Sequence, residues 1–222
     1  MIKKVVIPTA GLGTRLLPAT KQQPKEMLPV FATGADGKLC LKPFIQLVFE
    51  NLHMFGLREF CFVVGRGKRS IEDHFTLDKE FLDYLTKKNK LGIVKELKQF
   101  YKRVNTSQLI FLNQPEPTGF GDAVYQAKVF TGKEAFLVNA GDDFIVSEKN
   151  AYLKRLVTAF ERWKADAVFC VERVEDPRKY GVIQGRKIGK NLYRVTEVEE
   201  KPEHPKSNIA IVAVYIFTDK IY

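Results

Sequence analysis

Val5-Val6-Ile7-Pro8-Thr9-Ala10-Gly11-Leu12-Gly13-Thr14-Arg15 decides the architecture, because an apolar run passes at once into a glycine loop that carries an arginine. Lys4–Ile7 is short, β-branched and without polar alternation, which predicts a strand buried on both faces, as in a parallel sheet covered by helices. Gly11 and Gly13 leave room for backbone N–H groups to approach phosphate oxygens closely. Arg15 supplies a planar fork for those oxygens, and Lys21 and Lys25 add point charges. Three cations in so short a segment repel one another unless an anion sits among them, and a triphosphate meets that need. The common phosphate motifs do not apply. No Gly-Lys-Ser/Thr follows the glycines, and Leu16 stands where a dinucleotide fingerprint needs its third glycine.

Strand and helix patterns then alternate. Helices are predicted over Pro43–Phe55, with proline at the start and Gly56 just past the end, and over Lys68–Phe75, Gly121–Phe130 and Ala151–Lys164. Strands are predicted over Phe60–Val64, Leu109–Leu112, Ala135–Val138 and Ala167–Val171. Right-handed crossovers between such strands give a mostly parallel sheet. After Val171 the rhythm changes: Gly181–Gln184, Leu192–Glu197 and Ile209–Phe217 are separated only by turns, which adds an antiparallel part. Thr33–Lys38 is turn-rich and predicts a hairpin tip. The expected fold is α/β: a three-layer α/β/α sandwich on a mostly parallel, mixed, Rossmann-like sheet. It forms one domain over 1–222, with a nucleotide part to about 145 and a sugar-phosphate part from about 146.

The 222 residues are 45% hydrophobic and 28% charged, ordinary for a globular domain of one core. No apolar run approaches the roughly 18 residues of a membrane span, and the first strand begins without a leader-like segment, so the expected location is cytoplasmic, with no membrane partner. Cys40, Cys61 and Cys170 lack Cys-x-x-Cys spacing and read as reduced thiols. His53, His74 and His204 are scattered, and packing or surface roles suit His53 and His74. The net charge of +10 raises nucleic acid as a rival partner. Much of it lies in Lys79–Arg103, a helical pattern whose lysines form a solvated face, and no recognisable nucleic-acid module accompanies it.

In an open α/β sheet, ligands bind at the carboxyl ends of the strands. The first strand delivers Ala10–Arg15 to that edge. The strand ending at Val138 delivers Asn139-Ala140-Gly141-Asp142-Asp143. Adjacent carboxylates after a buried strand need cations, and hydrated Mg2+ is the natural one beside a triphosphate. Gln114 and the exposed glycine backbone that follows it suit the donor–acceptor edge of a pyrimidine, and Gly121 lets the chain enter a helix with little steric restriction. Glu200 beside Lys201 offers an acceptor for sugar hydroxyls and a cation for a phosphate.

Gly-x-Gly-Thr-Arg followed by Pro24-Lys25 resembles the signature of the sugar-1-phosphate nucleotidylyltransferases. The longer string Thr20-Lys21-x-x-Pro24-Lys25-Glu26-Met27-Leu28-Pro29 is similar to their UTP–glucose-1-phosphate uridylyltransferase branch. Gly141-Asp142-Asp143-x-Ile145, Tyr180-Gly181-Val182, Glu200-Lys201-Pro202 and Ser207-Asn208-Ile209-Ala210-Ile211 resemble further family motifs, so the likeness covers nearly the whole chain. The resemblance implies UTP and glucose 1-phosphate as substrates and Mg2+ as cofactor, held by Asp142; in this chain Asp143 is the spare carboxylate nearby. It implies Ala10, Gly11, Gly13, Thr14, Glu26, Gln114 and Gly119 at the nucleotide, and Gly181 and Glu200 at the sugar. Arg15 would neutralise the β- and γ-phosphates, Lys25 the reacting centre and Lys201 the sugar phosphate. A dTTP- or CTP-using transferase, or a non-catalytic nucleotide-sugar or nucleic-acid binder, are the alternatives left open, and a homo-oligomer is compatible with the resemblance. Two departures stand out. Val30–Leu41 expands a link that is short in the family, and family members continue beyond this point with a second magnesium-binding aspartate.

Overall fold

The computed structural model describes residues 2–222. In chain order it forms β1 (Lys4–Pro8), β2 (Pro29–Thr33), β3 (Leu39–Pro43), α1 (Phe44–Phe55), β4 (Glu59–Val64), α2 (Arg69–Phe75), α3 (Lys79–Lys87), α4 (Leu91–Asn105) and β5 (Gln108–Asn113). There follow α5 (Phe120–Gln126), α6 (Lys128–Thr131), β6 (Phe136–Asn139), α7 (Ala151–Trp163), β7 (Ala167–Arg173), β8 (Gly181–Gly189), β9 (Leu192–Glu200) and β10 (Ile209–Phe217). The main sheet runs β5-β4-β1-β6-β10-β8-β9, with β7 also paired to β10. β5, β4, β1 and β6 are parallel, and β10, β7, β8 and β9 join by antiparallel ladders. The predicted change of rhythm after Val171 is therefore the seam between a parallel half and an antiparallel half.

Period-two alternation in β1 divides the core. Val5 and Ile7 face one side of the sheet, where Ile45, Val48, Phe49 and Leu52 of α1 meet Phe100 of α4 and Leu153 of α7. Val6 faces the other side, with Cys61, Val63, Phe136, Ala123 and Val124. Ile45, Val48, Phe49 and Leu52 recur at one-face helical spacing, which is why α1 lies against the sheet. Each such buried side chain contributes about 1.5–3 kcal/mol of transfer free energy. The buried strands end at the same edge, and that edge carries the loops read above as functional.

Four predicted elements come out differently. The basic stretch is two helices, because Asn89 turns left-handed (φ 54°) between them. The helix expected over Gly121–Phe130 begins at Phe120 and is divided at Ala127. β8 and β9 run on to Gly189 and Glu200. Gly185 had masked this continuation: it sits at a bulge where a Cβ would stand 2.2 Å from the Arg194 carbonyl oxygen, so a residue that reads as a strand breaker is required by the ladder.

The expanded link folds as the β2–β3 hairpin, in register from Pro29↔Pro43 to Thr33↔Leu39. It returns the chain to its point of departure, since the Phe44 N–H donates to the Leu28 carbonyl at 3.1 Å. Buried Lys42 ties it down, donating to Glu50 of α1 at 3.0 Å and pairing with Glu96 of α4. The cysteines are free thiols, and burial raises Cys61 to about 12 and Cys170 to about 11. Burial likewise lowers His53 and His74 to about 4, which leaves both neutral near pH 7 in packing positions. No helix among the described residues is long and apolar enough to cross a membrane.

Candidate active site

The carboxyl ends of β1 and β6, with the turn before β2 and the segments after β5 and β9, enclose a cavity of about 510 Å3. That is the size of a small-molecule site, where volumes run from about 300 to 1,000 Å3. Ala10, Gly11, Gly13, Thr14, Lys25, Glu26, Gln114, Gly119, Asp142 and Lys201 all line it. Arg15, Gly181 and Glu200 lie outside its wall: Arg15 is exposed on the turn Thr14–Leu16, and the other two stand at the paired ends of β8 and β9.

The glycine loop is fastened at both ends. Thr9 is fully buried, and its N–H and hydroxyl donate to the Val63 carbonyl at 2.8 and 2.9 Å. Gly13 adopts φ 66°, a left-handed value that glycine takes without strain, and the Thr20 hydroxyl donates to its carbonyl at 2.7 Å. Thr20, six positions past the last motif glycine's neighbour Thr14, thus closes the loop that the glycines open.

After β6, Asn139 donates its side-chain amide to the carbonyls of Ala140 and Asp143 at 2.8 and 2.9 Å, folding the acidic turn back on itself. Gly141 is obligatory there, because a Cβ would lie 2.6 Å from Thr9 Cγ2. The two aspartates then part. Asp142 lines the cavity, and its Oδ2 accepts from Lys25 Nζ at 2.6 Å. Asp143 Oδ2 accepts from the Ala213 N–H at 2.9 Å, and burial, with the Asp142 charge adding to it, raises its pKa. Asp143 is therefore tied to β10 through one of its oxygens, whereas Asp142 faces the cavity.

Gln114 follows β5 and is buried. Its side-chain amide donates to the Gly119 carbonyl at 3.1 Å and to Asp122 at 2.6 Å, and this bond from Gln114 leads the causes that hold the Asp122 carboxyl below its usual pKa. With the donor end of Gln114 so engaged, the orientation of the amide is fixed. Gly119, at φ 122°, makes the entry to α5. Glu26 is fully buried and receives Lys68 Nζ on Oε2 at 2.9 Å. Burial raises its pKa and the Lys68 charge opposes the rise. Sequence reasoning missed Lys68. The available signal was its place in Gly65-Arg66-Gly67-Lys68, a turn at the carboxyl end of β4 on the same sheet edge.

Lys201 closes the far side. Its backbone is left-handed (φ 44°), its N–H donates to the Tyr180 carbonyl at 3.0 Å, and its Nζ lies 2.8 Å from Glu200 Oε1. A non-glycine residue held in that region stores strain, which is a recurrent feature of ligand clamps. Gly181 pairs with Glu200 in register, and a Cβ at Gly181 would stand 3.0 Å from Glu200 Oε2.

Residues 4–222 match the family model described as nucleotidyl transferase. The chain belongs to the nucleotidyl transferase family. Among curated nucleotidyl transferases it is similar to the UTP–glucose-1-phosphate uridylyltransferase YngB of Bacillus subtilis, at 39% identity over all of this chain and 71% of the relative. A second UTP–glucose-1-phosphate uridylyltransferase of that organism is 37% identical, over all of this chain and 72% of the relative. Among solved nucleotidyl transferases, a UDP-glucose pyrophosphorylase complexed with UDP-glucose superposes with TM-score 0.81 and 33% identity, over 99% of this chain and 77% of the other. The UTP-bound enzyme from Acinetobacter baumannii gives 0.83 and 31%, over 99% and 75%. The expected fold, family and branch are borne out.

Proposed function

We infer that this chain transfers the uridylyl group of UTP to glucose 1-phosphate, giving UDP-glucose and pyrophosphate. The observation that carries this reading is convergence: the glycine loop, the Lys25–Asp142 pair, the Gln114–Gly119 wall and Lys201 meet on one cavity. That cavity thus offers backbone donors and cations for a polyanion, a fixed amide for a base, and a separate cation for a second phosphate. In the reaction a phosphate oxygen of the sugar attacks the α-phosphorus in line, the bond to the bridging β-oxygen breaks, and the electron pair leaves with pyrophosphate. No covalent enzyme intermediate is needed, because holding both reactants together supplies the positional part of the rate.

The family motifs suggest the roles, and placement around the cavity supports them. Ala10, Gly11, Gly13 and Thr14 present the loop backbone to the nucleotide phosphates, and Arg15, exposed on the turn that follows, would meet the departing pyrophosphate. Lys25 holds phosphate oxygen at the reacting centre. Lys201 holds the sugar phosphate, with Glu200 and Gly181 beside it for sugar hydroxyls. Gln114 and Gly119 read the base. Asp142 suits Mg2+: it is one half-exposed carboxylate on the cavity wall, and magnesium leans on one or two carboxylates and keeps its remaining places for phosphate and water. When bound, Mg2+ would neutralise charge on the phosphates as a Lewis acid.

The direct test is pyrophosphate release from UTP and glucose 1-phosphate across a magnesium titration. Release that saturates with both substrates and needs magnesium supports the reading. Faster release with dTTP or CTP would reassign the nucleotide, and none with any pair would leave a binding protein. Gln114→Ala is expected to act on nucleotide choice, because losing one hydrogen bond at the base edge costs about 0.5–1.5 kcal/mol, a few-fold to roughly tenfold. Competition between UTP, CTP and dTTP measures it, and unchanged ratios would remove Gln114 from the base pocket.

A further inference from the structure

One carboxylate on the cavity wall takes no part in the phosphate chemistry. Glu26 sits on the turn Lys25–Met27 and lines the cavity, yet it is wholly buried. Its two oxygens are treated unequally. Oε2 accepts from Lys68 Nζ at 2.9 Å, whereas Oε1 is buried and has no hydrogen-bond partner. An ionised carboxylate has several acceptor positions, and leaving one oxygen empty in the interior is costly unless something arrives to fill it.

Lys68 is unusual in the same way. Its side chain is only 8% exposed, at the head of α2 beside the carboxyl end of β4, and Glu26 is the carboxylate it meets. The charged groups that bear on Glu26 are Lys68 from α2 and Lys25 from its own turn. The other elements packed there contribute Ile45 of α1 and Thr9 after β1, both uncharged, where Glu26 Cγ closes around Gly141. Burial opposes the charged form of Glu26 and the Lys68 charge favours it, so without Lys68 the carboxyl takes up a proton more readily and becomes a weaker acceptor.

We propose that Lys68 is a positioning residue for nucleotide selection: it holds the Glu26 carboxylate ionised and fixed, so that Oε1 accepts a hydrogen-bond donor of the incoming nucleoside. The donor is the uracil imide N–H or a ribose hydroxyl, and the shared chemistry is a single donor aimed at a buried anion. The proposal rests on the reading of this cavity as a uridine-nucleotide site. It is distinct from the phosphate roles of Lys25 and Lys201, because Lys68 pairs with Glu26 whereas Lys25 pairs with Asp142.

Calorimetric titration of the full chain across a pH series tests it, with UTP, CTP and dUTP as probes. Lys68→Met is expected to lose about tenfold or more in UTP affinity at the acid end and to recover as pH rises, since protonation of Glu26 then begins at higher pH. Lys68→Arg, which keeps the cation, is expected to stay close to wild type. If the imide is the donor, the loss in Lys68→Met disappears with CTP, which lacks that N–H; if the 2′-hydroxyl is the donor, it disappears with dUTP. Unchanged UTP affinity in folded Lys68→Met overturns the proposal, and so does a loss of the same size at every pH. Should Lys68→Met fail to fold, Glu26→Gln takes its place: it should abolish the acid-side fall in UTP affinity, and an unaltered pH profile sinks the idea. A wild-type chain that binds no UTP would overturn the nucleotide-site reading itself, which separates the two failures.

Discussion

Lys25→Met is expected to slow turnover by a factor on the order of 100–1,000, the usual consequence of removing one charge-stabilising donor from a reacting centre. The free protein shows why this lysine matters. Lys25 reaches across 117 positions of sequence to place Nζ 2.6 Å from Asp142, so the lysine proposed for phosphate and the carboxylate proposed for metal form one ion pair. In the proposed reaction Lys25 would turn to phosphate oxygen and Asp142 would hold the ion. The substitution therefore has a second expected effect of opposite sign. With its resident cation gone, Asp142 is free in the absence of nucleotide, and Mn2+ followed by paramagnetic resonance should bind the substituted chain more tightly than wild type. Pyrophosphate release measures the first effect. Wild-type turnover in Lys25→Met would remove this residue from the reacting centre, and unchanged Mn2+ affinity would mean that the pair does not guard the carboxylate.

The parts of this site legible in the sequence are those whose chemistry is local. Gly13 announces a left-handed turn, and the acidic turn after β6 announces a cation, because each constraint is written within a few residues. Buried strands were legible for the same reason: β1, β4 and β6 are apolar runs too short to be helices. What could not be read was which carboxylate each lysine would choose. Lys25 and Asp142, Lys68 and Glu26, and Lys42 and Glu50 are joined by folding alone, across gaps of 117, 42 and 8 positions. Asp142 and Asp143 are chemically alike in sequence, and only the approach of the Ala213 N–H on β10 assigns one to structure and leaves the other to the cavity. Gly185 misled in the opposite sense, since the residue that ordinarily ends a strand there permits the strand to continue.

That division of labour between neighbouring aspartates leads to the largest expected effect, in Asp142→Asn. A bound magnesium ion is worth several kcal/mol of charge stabilisation on a reacting phosphate, and each 1.36 kcal/mol is tenfold in rate, so turnover should fall by on the order of 1,000 or more. Unfolding does not account for such a loss. The Asp142 side chain is 39% exposed and its partner Lys25 24% exposed, so solvent screens the pair. Exposed pairs contribute about 0.2–1 kcal/mol, which for a domain of this size moves the melting temperature by no more than about 4 °C. Asp143→Asn should behave otherwise. Its remaining side-chain oxygen can still accept from Ala213, so turnover should drop less and the magnesium concentration needed for half-maximal rate should stay as in wild type. In Asp142→Asn that concentration should rise sharply, with residual activity recovering only in part at high magnesium. The measurement is pyrophosphate release against magnesium for both variants, with the melting temperature taken alongside. If the two asparagine variants lose activity equally and with the same magnesium dependence, the assignment of metal to Asp142 and brace to Asp143 fails. If Asp142→Asn turns over at the wild-type rate in EDTA, the site does not use a metal through this residue at all.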